Sequence, residues 1–177
     1  MSRAIFLRFP RKSPMIRDRR NVMPITKVKE LLDENKIKYV SIRHSTAYTA
    51  QEIAASAHVK GKNMAKTVIV KIDGKIAMAV LPAKYQIDLD SLKKSCKAAS
   101  VGLAREEEFS HLFSGCETGA MPPFGNIYGI PMYADETLKK DDEIAFNACS
   151  HTELIQIRYK DFEKLAKPKF CKFSVIA

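Results

Sequence analysis

Three groups of residues are equipped for chemistry in a chain whose predicted strands are otherwise poor in polar side chains. The first is Ala65-Lys66-Thr67, a lysine at the head of the apolar run Thr67-Val68-Ile69-Val70. A lysine entering a buried strand is costly unless its ammonium reaches water or an anion, so Lys66 either snorkels at the strand end or meets a negatively charged ligand. The second is the loop Gly119-Ala120-Met121-Pro122-Pro123-Phe124-Gly125. Glycine lets the backbone approach a ligand, proline stiffens the surroundings, and exposed N–H groups in such a loop receive an anion or a carbonyl oxygen. Taken alone, the loop reads equally as a rigid turn between a helix and a strand. The third group is the pair of histidine segments at His44 and His151, each with a satisfied structural histidine as the plain alternative.

These groups need elements to hold them. Thr26 is placed to cap a helix running to about Asn35, with Val28, Leu31 and Leu32 on one face, and a strand should follow over 38–43. Thr49 and Glu52 form a Thr-x-x-Glu capping box for a short helix to about Ala57, followed by a turn at Gly61-Lys62. The β-branched run within 64–72 predicts a buried strand, Asp73-Gly74 a hairpin turn, and 76–81 the returning strand, ended by Pro82. Asp88 or Asp90 caps a helix through Lys97, and 104–113 reads as another helix with Glu106, Glu107 and Glu108 in its first turn. Those acids read as a solvated helix start rather than a metal site. Periodicity then vanishes over 114–129, where glycines and prolines gather in a long loop, and such loops usually carry function. Strands are expected at 131–134, 143–148, 153–158 and 170–176, with a short helix over 161–165. The expected fold is α+β, a mixed, largely antiparallel sheet or partly open barrel surrounded by helices.

The chain of 177 residues is long enough to bury a core without metal or disulfide staples, and no apolar run reaches the roughly 18 to 20 residues of a membrane-spanning helix. Its net charge of +10 is unevenly spread. Residues 1–22 hold seven arginines and lysines against Asp18 alone, so they form a basic leader with no sustained period, read as mostly disordered. It is an Arg-rich targeting segment, a phosphate-binding arm, or upstream sequence ahead of a start at Met23. Residues 23–177 form the domain, with twenty-three basic and nineteen acidic side chains. Cys96, Cys116, Cys149 and Cys171 lack the spacing of a zinc site or a dithiol centre, and read as reduced, mostly buried thiols of a cytoplasmic protein. A lone catalytic Cys116 served by His151 is the alternative.

In order along the chain, the helix-strand opening, H-S-T-A-Y-T-A-Q-E-I-A, A-K-T-V-I-V-K, the D-G hairpin, G-A-M-P-P-F-G and F-N-A-C-S-H-T-E-L resemble the YbaK family. Its members are aminoacyl-tRNA deacylases, including the editing domain inserted in bacterial prolyl-tRNA synthetases and free-standing relatives. The resemblance runs from about Met23 to Lys167. It implies hydrolysis of the ester joining a wrong amino acid to the 3′-terminal adenosine of a tRNA, with mischarged tRNA as partner, an aminoacyl-tRNA synthetase as a further one, and no metal or organic cofactor. Lys66, Gly119 and Pro123 match the catalytic positions. His44, Thr49, Met121, Phe124, Gly125, Asn147, His151 and Thr152 are the implied substrate-binding positions. The loop and the S-H-T-E-L stretch depart from the most familiar members, and a pocket for Ala, Ser or Thr is expected. A non-catalytic module binding tRNA ends and a Lys66 Schiff-base enzyme are the competing readings.

Overall fold

The β-branched run ending at Ile72 forms one arm of the hairpin around which the other elements are arranged. In the computed structural model, which describes residues 24–46, 52 and 63–176, β2 (Ala65–Ile72) pairs antiparallel with β3 (Lys75–Pro82). The register runs from Ala65 opposite Pro82 to Ile72 opposite Lys75, and Asp73 and Gly74 both adopt left-handed φ in the turn. Three further strands complete a five-stranded sheet in the order β5-β2-β3-β6-β9, with β5 (Val101–Leu103) antiparallel to β2 and β6 (Met132–Asp135) and β9 (Lys169–Cys171) parallel.

A three-stranded antiparallel sheet in the order β1-β8-β7 combines β1 (Val40–Arg43), β7 (Glu143–Asn147) and β8 (Glu153–Arg158). A parallel bridge between Met64 and Ala145 sets the start of β2 beside β7. The short strands β4 (Tyr85–Ile87) and β10 (Ser174–Ile176) pair with each other. The described helices are α1 (Pro24–Glu34), α2 (Leu89–Cys96), α3 (Glu106–Phe109), continued as a 3-10 turn over Ser110–Phe113, and α4 (Tyr159–Ala166). The architecture is thus the mixed, largely antiparallel α+β arrangement expected, with the sheets not closed into a barrel.

Apolar periodicity explains how the helices sit. Val28 and Leu32, one turn apart on α1, are fully buried in a core shared with Ile69, Met78, Phe124, Phe146, Ile155 and Phe162. Phe124 meets Phe146 and Phe162 edge-on, with ring centroids 5.4 and 5.9 Å apart. Leu92 of α2 closes a second cluster on the other face of the hairpin, with Val70, Ala77, Ala79 and Leu81. Lys29 of α1 donates to the carboxylate of the buried Glu153 at 2.7 Å, fastening the helix to the three-stranded sheet.

Several expectations are corrected. α1 already begins at Pro24, so Thr26 lies inside the first turn rather than capping it; proline suits that position because its missing N–H has no helical partner anyway. Of the two residues expected to cap α2, Asp88 is the one that does so, its carboxylate accepting from the amides of Asp90 and Ser91. The single strand expected over 170–176 is two, because β9 joins β6 while β10 turns away to β4. The strands β4 and β5 were not foreseen; each has three residues, too few for a period to show. The four-thiol reading fails for one pair: Cys116 and Cys149 are joined by a disulfide across a sequence separation of 33, while Cys96 and Cys171 remain free. The lone catalytic Cys116 falls with it. Spacing along the chain carries no information about that meeting, which the fold alone creates. Closing a loop of this size is worth roughly 3–4 kcal/mol on the chain-entropy account. The leader over 1–22, Met23, Thr49 with its capping box, and the Gly61-Lys62 turn lie outside the described residues.

One buried carboxylate ties the C-terminal turn to the sheet. Asp135, 1% exposed at the end of β6, accepts from the amides of Phe173 and Ser174 at 2.8 Å each and from the amide and hydroxyl of Thr137. Burial alone would raise its pKa, but these four hydrogen bonds outweigh that and hold it below the ordinary carboxylate value. Its contribution to stability is therefore complete above the unfolded-state pKa of about 3.9, and drains away as pH falls below that towards the lower native value. Asp135→Ala is expected to cost about 2–4 kcal/mol at neutral pH, since the buried Phe173 amide and the half-buried Ser174 amide lose a charged acceptor. Urea unfolding of wild type and variant should converge as the pH is lowered into that range; a constant gap would sink this account.

Candidate active site

The turn between β7 and β8 and the glycine loop are built on each other. Cys149, at φ 65°, donates its amide to the carbonyl of Ala120 at 3.0 Å, and Glu117 returns its amide to the carbonyl of Cys149 at 3.0 Å. The amide of His151 donates to Glu117 Oε2 at 2.7 Å, and His151 Nε2 lies 3.0 Å from the carbonyl of Thr118. The Cys116–Cys149 disulfide joins the same two segments, and Tyr128 Oη rests 3.6 Å from both sulfurs. Thr118 Oγ1 also donates to Glu106 Oε1 at 2.5 Å, linking the loop to the acidic first turn of α3. The loop therefore has a fixed course although its only regular element is a 3-10 turn over Gly125–Ile127.

Gly119 occupies a left-handed conformation, φ +87°, with the His151 ring 3.5 Å from where a Cβ would stand. Its amide points at the Met121 sulfur, 3.3 Å away, which is a weak acceptor. The amide of Ala120 is engaged by the carbonyl of Glu117. Pro123 and Met121 are buried, whereas Gly119 is exposed. Phe124 is fully enclosed among core rings, and a Cβ on Gly125 would meet the Ile130 carbonyl oxygen at 2.6 Å, so these two residues brace the loop from the inside.

His44 follows β1 and donates its amide to the carbonyl of Thr152 at 3.0 Å, which brings it to the same sheet end. Its Nδ1 is 2.7 Å from the Ser45 carbonyl, while Nε2 is shielded from solvent with no hydrogen-bond partner among the described residues. The same is true of Asn147 Oδ1 at the end of β7. The exposed Thr152 hydroxyl contacts Ser150 Oγ at 2.7 Å. Two shielded polar atoms without partners at one sheet end are expensive unless a ligand supplies the missing bonds.

Lys66 lies two residues beyond the Met64–Ala145 bridge, as Asn147 does on the parallel β7, so the register carries both to the same end. Its side chain is half-buried, and no carboxylate or other acceptor among the described residues takes its ammonium. Burial lowers its pKa from the ordinary lysine value, meaning that the site penalises the cation until a negative group arrives. Lys66, His44, Asn147, Thr152, His151 and the Gly119 loop are thus gathered from four separate stretches of chain; Thr49 lies outside the described residues. Glu117 was not singled out from the sequence, although it links loop and turn through both its amide and its carboxylate; its only signal there was its place beside the loop. Such a site can bind an anionic or carbonyl oxygen against a cation and orient an ester. Among the described residues no group of three or more His, Cys, Asp or Glu side chains is placed to hold a metal ion, and no helix is long and apolar enough to cross a membrane.

Comparison with known proteins identifies the family. The profile of the aminoacyl-tRNA editing domain matches residues 44–165. The Multifunctional Ser/Thr-tRNA deacylase ProXp-y of Escherichia coli K12 is 32% identical over 114 residues, 62% of this chain and 68% of that protein. A proline–tRNA ligase of Lysinibacillus sphaericus is 28% identical over 91 residues, 51% of this chain but only 16% of the ligase. Among solved structures, a candidate trans-editing enzyme for prolyl-tRNA synthetase superposes with a TM-score of 0.74 at 20% identity, covering 88% of this chain and 99% of its own, a likeness of fold. With the family profile matching residues 44–165, well over half of the chain, the chain belongs to the aminoacyl-tRNA editing domain family.

Proposed function

We propose that this chain acts in trans on tRNA carrying a wrong small amino acid, Ala, Ser or Thr, and hydrolyses the ester to the 3′-terminal adenosine. The observation that carries the reading is the half-buried Lys66 ammonium, without a partner among the described residues, at the strand end where His44 Nε2 and Asn147 Oδ1 also lack partners. The work belongs in the cytoplasm, where tRNA is charged, and the domain begins at Met23.

An aminoacyl ester is already activated, so orientation and oxyanion stabilisation matter more than a strong protein base. Water attacks the ester carbonyl, with a neighbouring ribose hydroxyl of the substrate assisting. Negative charge gathers on the carbonyl oxygen, where the Lys66 ammonium and the Gly119 amide offset it. For that amide, exchanging the Met121 sulfur for an oxyanion is a gain, because a thioether is a poor acceptor. The tetrahedral intermediate then collapses, the C–O bond to the ribose breaks, and the ribose oxygen leaves with a proton while the amino acid departs as a carboxylate. His151 acts as a positioning residue, its amide and ring both fastened to the loop that carries Gly119. His44, Asn147 and Thr152 face the bound aminoacyl-adenosine. Discrimination among Ala, Ser and Thr rests on differences of only about 1–3 kcal/mol per methyl or hydroxyl, so activity on more than one is expected.

The test is amino-acid release from a panel of mischarged tRNAs. Lys66→Ala should lower kcat about 100- to 1000-fold with an unchanged melting temperature. Tight, salt-dependent tRNA binding with no release from any member would instead establish a non-catalytic binding module. Gly119→Ala forces a Cβ into a left-handed position, with an expected cost of about 1–2 kcal/mol in stability and a larger loss in kcat than in KM. A protein starting at Met23 should match the full chain in the same assay, and a substantial loss would show that the basic leader takes part.

A further inference from the structure

The Cys116–Cys149 disulfide ties together two segments of the candidate site, and its two ends are held differently. Cys149 is buried in the turn between β7 and β8, whose strands pair through Asn147 opposite Leu154 and whose Ala148 amide donates to the Glu153 carbonyl at 3.0 Å. The sheet therefore fixes Cys149 whether or not its sulfur is bonded. Cys116 is half-buried at the start of the glycine loop, and Gly115, Glu117, Thr118 and Gly119 around it are all exposed. A small molecule from solution can reach Cys116, whereas Cys149 is enclosed.

Tyr128 completes the arrangement. Its hydroxyl stands 3.6 Å from each sulfur, and its ring packs on Phe113 with centroids 4.4 Å apart. Burial pushes its pKa up to about 12, so it keeps its proton at neutral pH and can donate to a thiolate. Exchange at a disulfide is faster when the departing thiolate is stabilised. Disulfides are also rare in a reducing cytoplasm, and those that do form there are usually transient and redox-sensing. The cytoplasmic setting proposed above thus favours a reversible link over a permanent one.

Resting on the deacylase reading, we propose that Cys116–Cys149 is an exchange site for low-molecular-weight thiols and their disulfides, whose state sets how firmly the Gly119 loop is held for catalysis. In reduction, the thiolate of an external thiol attacks Cys116 Sγ, forming a mixed disulfide and releasing Cys149 as a thiolate that takes a proton. A second external thiol attacks the mixed disulfide, which frees Cys116 as a thiol and releases the external disulfide. Two electrons and two protons pass to the protein for each external disulfide formed, and oxidation is the reverse.

Once reduced, the stretch from Cys116 to Met121 is tied to the β7–β8 turn by hydrogen bonds alone, each of modest net worth. Phe124 still anchors the far end of the loop among the core rings, so the added freedom falls on the stretch that carries Gly119. Misplacing a group that orients an ester is costly in rate. Because Cys149 stays with the sheet, the two thiols can meet again and the link re-forms.

The experiment equilibrates the full chain with reduced and oxidised glutathione in ratios spanning complete reduction to complete oxidation. Alkylation and peptide mass mapping score the Cys116–Cys149 link at each ratio, and amino-acid release from mischarged tRNA is assayed alongside. From reduced to linked protein, kcat should rise about tenfold while KM moves less than about threefold. Amide hydrogen exchange over 116–121 should quicken about tenfold or more on reduction, with the β7 and β8 amides unchanged. Cys149→Ser should show the reduced protein's kcat at every ratio, and Tyr128→Phe should slow reduction while keeping the kcat of the linked form. Melting temperatures establish that each variant is folded. A link that never forms or never breaks across the series overturns the proposal, as does a kcat that ignores the link. So does a kcat that still follows the glutathione ratio in Cys149→Ser, which would assign the effect to Cys96 or Cys171. Failure of the deacylase reading shows separately, as wild-type protein that releases no amino acid at any ratio, and mass mapping with amide exchange then still decides whether the site opens and closes.

Discussion

The seam between the glycine loop and the β7–β8 turn is the interaction on which the site depends. A sixteen-residue stretch whose only regular element is the 3-10 turn Gly125–Ile127 has backbone groups that need partners, and here the turn between β7 and β8 supplies several of them through Cys149 and His151. Each such bond is worth only about 1 kcal/mol net, yet together with the disulfide they convert a loop into a fixed surface. The aromatic cluster of Phe124, Phe146 and Phe162 closes the seam from below, because one of its rings comes from the loop, one from β7 and one from α4. Core packing and site geometry are therefore the same construction seen from two sides.

The two lysines that begin and nearly end β2 show how charge is apportioned. Lys71 is paired with Glu108 on α3, a contact that binds helix to sheet. Lys66, five residues earlier, is half-buried with no such partner among the described residues. A folded protein does not ordinarily leave a cation in that state, since desolvation works against it without a compensating anion. Restraint in the surrounding sequence keeps the position open: the residues opposite and beside it, Leu81 and Ala65, are apolar. The unpartnered atoms of His44 and Asn147 extend the same pattern to neutral groups.

Much of the fold was legible because its cues are local. The Asp73-Gly74 turn, the β-branched run and the alternation over 153–158 each specify an element within a few residues, and the strand at Glu153–Arg158 falls where expected. The breaks in legibility have physical causes too. β4 and β5 are too short for a period to appear, and the chain at Lys172-Phe173 changes sheets because Asp135, nearly forty residues earlier, draws the Phe173 and Ser174 amides to itself. Glu117 and the Cys116–Cys149 pair escaped notice for the same reason: their partners are distant in sequence and meet only in the folded chain.

By itself, the sequence determined the residue types and motif order of the candidate site: Lys66 at a strand head, a glycine-proline loop and histidines at two further places. Those are properties of short stretches, set by propensity, turn chemistry and the cost of placing a charge in an apolar run. Tertiary structure alone decided which of these groups share a sheet end, that Phe124 and Gly125 brace the loop while Gly119 faces outward, and that two cysteines meet across the seam. A site depends on which side chains are neighbours, and only folding brings residues from separate stretches of chain to one sheet end.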